Sequence, residues 1–192
     1  SRQKANWSAL VEALVAMPLI LPPTVLGFYL LLLFAPGTAL GSAWERLTGT
    51  RLAFSFSAQV IGSVVYSLPF VVQPLQAAFQ RVPQNLLHVA ATLGAGPFDQ
   101  FRSVVLPLTR RSFVTAASLG FAHTVGEFGV VLMIGGNIPG ETQVLSIALY
   151  DYVESLQFAE AHRLAGGLVA FSLVLLFLLY RRDRQESWRV QA

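Results

Sequence analysis

Inside the chain's long uncharged runs, one pair of residues is spaced to do chemistry: His123 and Glu127. Four residues apart on a helix they share one face, where an imidazole and a carboxyl can bind each other or pass a proton. A buried pair that fixes helix packing is favoured over contact with a solute. An intramembrane enzyme or a proton-coupled carrier would need more polar groups converging at that depth, and the rest of the chain offers hydroxyls and amides. Other chemistry lacks its residues. No glycine-rich loop ends in Lys-Ser/Thr to hold phosphates, and neither HExxH nor GxSxG occurs. Zero cysteines exclude disulfides, thiolate-bound zinc and thiol nucleophiles. The other histidines, His88 and His162, stand at unrelated places, so no catalytic residue, metal or cofactor is expected, and the chain cannot hydrolyse ATP alone.

The elements that must position His123 and Glu127 are membrane helices. Hydrophobic residues make up 54% of the 192, charged residues only 12%, and mean hydropathy is +0.59. That is half the charge of a soluble domain. No charge occurs in 13–44, 52–80 or 164–180, and 112–138 holds Glu127 as its one acid. Each run approaches the ~20 residues that cross a bilayer core as helix. The expected fold is therefore an all-α membrane protein, a polytopic helical bundle forming one domain over 1–192, with spans at about 10–34, 58–79, 113–134 and 164–180. Four such runs would leave a soluble protein too little polar sequence to cover them. The net charge of +3 is no nucleic-acid signal, because the basic residues cluster at span ends. Ten Lys and Arg lie on one side of the four spans and Arg46, Arg51 and Arg163 on the other. This puts both termini and the 81–111 loop in the cytoplasm.

Within the spans the punctuation is uneven. Pro18, Pro22 and Pro23, with Thr24 after them, break the first span by removing backbone donors, tolerable only against protein or a wet cavity. Pro69 and Pro74 sit in the second, with Gln59, Gln73 and Gln76 near its ends. In the third, Gly120, Gly126 and Gly129 would let helices approach closely. Residues 141–160 carry apolar side chains at helical spacing opposite Asp151, Glu154 and Glu160, an amphipathic helix at the outer surface. Tyr180-Arg181-Arg182 would stop the last span and leave a solvated tail.

The polar stretch His88–Pro107, HVAATLGAGPFDQFRSVVLP, is the one segment that reads as addressed to a partner. Ala90, Ala91, Gly94 and Ala95 end one helix in a turn, and a second helix then carries Phe98, Phe101 and Val105 as apolar knobs. Gly94, nine residues, Val104, one residue, then Leu106-Pro107 resembles the EAA loop of ABC-importer permeases, with His88-Val89-Ala90 where Glu-Ala-Ala would stand. His88 departs from that pattern, so a salt bridge made by the family glutamate is not carried over. LILPPTVLGFYLLLLF and GEFGVVLMIGGNIPGETQVLSIALYDYVE resemble the corresponding segments of molybdate permeases, and the similarity runs from about Leu10 to Tyr180.

The resemblance implies the MetI-like permease fold in a bacterial inner membrane. It further implies a homodimer in the lipid bilayer, a cytoplasmic ABC ATPase docked on each elbow, and a periplasmic binding protein that delivers molybdate. Sulfate and tungstate are the near alternatives. Thr24, Ser57, Ser63 and Ser67 are the hydroxyl donors available to a tetrahedral dianion along the pathway, with Pro22 and Pro23 lining the break. The opening SRQKANW reads as a loop, and the family places a further span before it, so one N-terminal helix is expected to be missing.

Overall fold

The computed structural model describes residues 2–189, and every regular element among them is helical. The side chains of Arg2, Lys4, Tyr180, Arg182, Arg184 and Arg189, used above for orientation and for the last span's stop, lie outside the described residues. The first long apolar run is split into α1, Arg2–Ile20, and α2, Pro23–Phe34, whose axes bend by 116°. Such an angle is more than a proline kink, and the expected 10–34 span is not one straight helix. The cause is local. Pro22 is extended at φ −54°, ψ 136°, and a residue before proline avoids the helical region, so neither Leu21 nor Pro22 can continue α1. Pro23 at the first turn of α2 has no N–H to leave orphaned, which makes the restart cheap inside an apolar medium.

A surface helix α3, Ala39–Thr48, is capped by Thr38, whose Oγ1 accepts from the Gly41 N–H at 3.0 Å. It leads to α4, Phe56–Gln80, capped by Ser55 in the same way. α4 stays continuous through Pro69 and Pro74. α5, Gln84–Thr92, and the short α6, Pro97–Gln100, build the elbow, and a π-turn at Phe101–Val105 joins α6 to α7, Leu106–Gly126. Pro107 supplies the reason for the π-turn. Its ring would collide with the carbonyl four residues back, and widening the turn moves that carbonyl aside while the Leu106 N–H reaches Phe101 O.

α7 ends at Gly126, and α8, Gly129–Gly135, restarts at 61° to it. The expected unbroken 113–134 span is thus two helices. α4 and residues Phe158–Leu178 are each long and apolar enough to cross a membrane, and each bent pair reaches that length when counted as one span.

The amphipathic helix is shorter than 141–160. The N–H groups of Glu141, Thr142 and Gln143 all converge on Ile138 O at 3.0–3.1 Å, so this stretch is a turn, and α9 covers Leu145–Glu154. Leu156 at φ 60° then separates α9 from α10, Phe158–Arg189, which continues past Tyr180 as helix instead of ending there.

The core lies at one end of the bundle. Leu26, Leu30 and Phe34 of α2, Val130 and Ile134 of α8, and Leu52 and Ala58 at the start of α4 form its buried cluster. Close approach is what packs it. A Cβ on Gly129 would lie 2.8 Å from Pro23 Cβ, so the break between α1 and α2 rests directly on the break between α7 and α8. Gly126, expected to serve the same purpose, faces open space. Gly129→Ala should therefore destabilise the protein by about 1–3 kcal/mol, because a rigid proline ring must move aside. Gly126→Ala should leave stability unchanged or raise it by up to about 1 kcal/mol. Thermal unfolding in detergent checks the pair, and equal effects would mean that the two breaks do not bear on each other.

Candidate functional site

Three groupings of polar or exposed residues stand out on this scaffold. The first is the elbow. α5 ends in a Schellman turn: the Ala95 N–H bonds Ala90 O at 3.0 Å, the Gly94 N–H bonds Ala91 O at 3.0 Å, and Gly94 sits at φ +88°. An L side chain at that φ costs about 1–2 kcal/mol, which is why glycine stands there. Gln100 Nε2 closes the turn by donating to Ala95 O at 2.8 Å. Pro97 then starts the second helix behind Gly96.

The turn presents Leu93, 82% exposed, Phe98, 72%, and Val89, 56%, with exposed His88 beside them. Phe101 belongs to the base of the elbow, edge-on to Phe79 at 6.5 Å, and Leu106-Pro107 lie at the π-turn, away from the tip. Of the nine residues expected in the elbow, His88 and Phe98 present side chains, Ala90, Ala91, Gly94 and Ala95 shape the turn through their backbone, and Phe101, Leu106 and Pro107 anchor it.

The second grouping is the junction of the two helix breaks. Glu127 takes φ −71° and ψ 131°, so α7 stops at it and its carboxyl is engaged by the start of α8, with no bond to His123. The expected His–Glu pair does not form. Instead Glu127 Oε1 accepts the Val130 N–H at 2.6 Å and its carboxyl also faces the N–H groups of Phe128 and Gly129, capping α8 from within. Its own carbonyl, released by the break, accepts from Ser146 Oγ at 2.7 Å at the start of α9. A position in the helix-start field that an anion could use is thereby filled by the chain's own carboxyl. Thr24, exposed just past the α2 start, borders this junction through its backbone against Gly129.

Gln59 holds the outer side: its Nε2 donates to Thr142 O at 2.7 Å and to Val131 O at 3.3 Å, tying the GNIPGETQ turn to α4 and α8. Asp151 pins the same turn by accepting from Asn137 Nδ2 at 2.6 Å and Gln143 Nε2 at 2.9 Å. The role of Asp151 had no signal beyond its place opposite the apolar face of α9.

The third grouping is in the seam between α4 and α7. Ser67 Oγ lies 3.2 Å from His123 Nδ1 and 2.8 Å from Thr124 Oγ1, and Thr124 Oγ1 donates to Gly120 O at 2.8 Å. The imidazole is stacked on Phe70, with ring centroids 3.8 Å apart, and meets Tyr66 at 4.7 Å. The structure thus joins two expected pathway residues, Ser67 and His123, and adds Thr124. No hydrogen bond links Thr24, Ser57 or Ser63 to them among the described residues.

Broken helices whose freed backbone groups are satisfied internally, around a seam with a polar centre, together with an exposed helical elbow at one end, define a membrane transport component. The chain belongs to the family of binding-protein-dependent transport system inner membrane components, whose model matches residues 2–182. It is 53% identical over 184 residues to the molybdenum transport system permease protein ModB of Azotobacter vinelandii, covering 96% of this chain and 81% of that one. To the protein of the same name in Escherichia coli K12 it is 34% identical over 185 residues, covering 94% and 81%. To the sulfate transport system permease protein CysT of the same strain it is 31% identical over 177 residues, covering 92% and 64%.

The capping geometry yields a test. Glu127→Ala should cost about 1–2 kcal/mol in thermal unfolding, the worth of a helix cap, whereas Glu127→Gln keeps an acceptor oxygen and should lose less than half of that. Equal losses would show that charge, not acceptance from the α8 N–H groups, is what Glu127 contributes.

Proposed function

We propose that this chain is the permease subunit of an ABC importer for molybdate, working as a homodimer whose two elbows dock on cytoplasmic ATPase subunits. The observation that carries the coupling is the elbow itself. A Schellman turn at Gly94 holds three large apolar side chains in solvent, an arrangement that costs free energy unless a partner covers it. The apolar knobs and the open space around Gly94 suit a cleft on an ATPase, and this reading supplies the energy source that the sequence lacks. Molybdate is favoured over sulfate by the higher identity to the Azotobacter permease, 53% against 31% for the sulfate protein. Tungstate, of the same charge and shape, remains the competitor to include.

In this reading a periplasmic binding protein releases the oxyanion into the outward-open dimer. Closure of the ATPases on ATP moves the elbows, and each conformation is favoured by what binds it. The proton-coupled carrier loses support, because Glu127 is engaged as a cap and makes no bond with His123.

ATP-driven uptake into vesicles that hold this chain, an ATPase subunit and a binding protein tests the reading, with molybdate, tungstate and sulfate in competition. Molybdate should be taken up and should outcompete sulfate. Gly94→Asp should insert normally yet lose ATPase co-purification and uptake together, by roughly tenfold for each ~1.4 kcal/mol of docking energy lost. Gly96→Ala serves as the mild control. Full recruitment and transport in the Asp variant would reduce 81–111 to a connecting loop.

Orientation is checked separately with single cysteines and an impermeant label. A cysteine near Arg110 should react only from the cytoplasmic side, where the basic residues concentrate, and one near Gly140 only from outside. The reverse pattern would place the elbow out of reach of ATP.

A further inference from the structure

The α4–α7 seam fixes the position of every hydrogen in its polar cluster. A carbonyl can only accept, so the single hydroxyl hydrogen of Thr124 is spent on Gly120 O at 2.8 Å. Thr124 Oγ1 can then only accept from Ser67, at 2.8 Å, which spends the Ser67 hydrogen. Ser67 Oγ in turn can only accept from His123 Nδ1, at 3.2 Å. With all three contacts made at once, His123 carries its hydrogen on Nδ1, and in the neutral ring Nε2 carries a lone pair. No donor or acceptor among the described residues is bonded to Nε2.

Two consequences follow for an anion. Neither Ser67 nor Thr124 has a hydrogen left to offer, although hydroxyls looked like the natural donors for an oxyanion. The one hydrogen this cluster can add is on Nε2, when the ring takes up a proton and becomes a cation. A protonated ring would lie against the face of Phe70 at 3.8 Å and beside Tyr66 at 4.7 Å, where the aromatic faces meet its charge. Ser67 is near the middle of the 25-residue α4, at the depth where polar groups in membrane helices mark a pathway. Thr124 is exposed and His123 half-buried, so the cluster opens onto a surface of the subunit instead of closing into its core.

We propose that His123 is a proton-gated contact for the transported tetrahedral oxyanion: its Nε2 repels the dianion when the ring is neutral and donates to it when the ring is protonated. The proposal rests on the transport reading above. One proton from water binds Nε2, the ring goes from neutral to +1, and the dianion meets a charge-assisted donor. The titratable neighbours are Tyr66 on α4 and Glu127 just after α7. α10 meets α7 through the Phe121–Phe171 contact and brings no charge there.

The test uses the complete importer in vesicles, with ATP inside, the binding protein outside, and the same pH on both faces. Wild-type molybdate uptake, scaled to ATPase turnover, should fall severalfold as pH rises through the range in which imidazole loses its proton. His123→Asn keeps an amide N–H where Nδ1 donates to Ser67 but has no Nε2, so its uptake should be low and flat with pH while thermal stability is kept. Ser67→Ala releases the lock and lets the neutral ring carry its hydrogen on Nε2, so uptake at high pH should rise above wild type and the profile should flatten. Nitrogen-15 spectra of histidine-labelled protein should show the Nδ1–H form in wild type and a mixture in Ser67→Ala.

Wild-type and His123→Asn profiles of the same shape would overturn the assignment, as would an Nε2–H ring in the wild-type spectrum. If no oxyanion is taken up at any pH, the transport reading fails and this one with it. Uptake that is strong but independent of pH sinks only the role of His123.

Discussion

A helix broken inside hydrocarbon exposes N–H and C=O groups to a medium that cannot bond them, each at a cost of several kcal/mol, and this chain has two breaks within its apolar runs. How those groups are satisfied determines the rest of the arrangement. At the first break, prolines at 22 and 23 remove donors that would otherwise be stranded, and Val25 N–H returns to Pro22 O at 2.9 Å. At the second, Glu127 supplies acceptors to α8 through its side chain and gives its carbonyl to Ser146. Pressing the breaks together, Pro23 on Gly129, leaves protein where lipid would otherwise meet bare backbone. α2 and α8 then run side by side into the buried cluster with the start of α4, and Gln59 and Asp151 tie the outer turn onto that assembly.

This gives an acid in an apolar run a structural reason to stand there. A carboxyl at the start of α8 satisfies several N–H groups at once, which a single serine hydroxyl could not. The same placement withholds the α8 N-terminus from any transported anion. The α4–α7 seam is the part of the described apolar region where a hydroxyl, an imidazole and a second hydroxyl meet.

How much of this was legible in the sequence depended on how local the cause was. The elbow was legible because a Schellman turn is written in six consecutive residues, and Gly94 adopts the positive φ that its position demanded. The break at Pro22-Pro23 was legible as a break, but not its 116° angle, which depends on Gly129 lying more than a hundred residues away. The break after Gly126 was missed because no proline marks it. Spacing of four suggested that His123 and Glu127 bind each other, and that inference fails because the helix stops at Glu127 and the N–H groups of the next helix take its carboxyl. Ser67 and Thr124 could not be paired from sequence, since the contact spans 57 positions and rests on the register between α4 and α7. The shorter α9 follows from Ile138 O collecting three N–H groups, a competition between turn and helix that apolar periodicity does not report.

The elbow and the seam are mechanically continuous, and that continuity bears on coupling. From Pro97 the chain is helical without a gap through the π-turn to Gly126, so the segment that carries Phe98 also carries His123. A displacement of the elbow tip cannot be absorbed in a flexible linker; it must turn or shift α7, or open the widened turn at Phe101–Val105. That turn is the weak point of the rod, because its hydrogen bonds are longer-range and Pro107 leaves a carbonyl without its usual donor. Phe79 braces it from α4, edge-on to both Phe101 and Phe113 at 6.5 and 5.9 Å, so bending there is resisted by aromatic packing. With that brace in place, motion at the tip is carried along α7 into the seam with α4, where Ser67 on one helix and His123 with Thr124 on the other hold a hydrogen-bond chain that a shift of about 1 Å would break. The polar seam is therefore the first place in the membrane where movement of the elbow changes which atoms can bond.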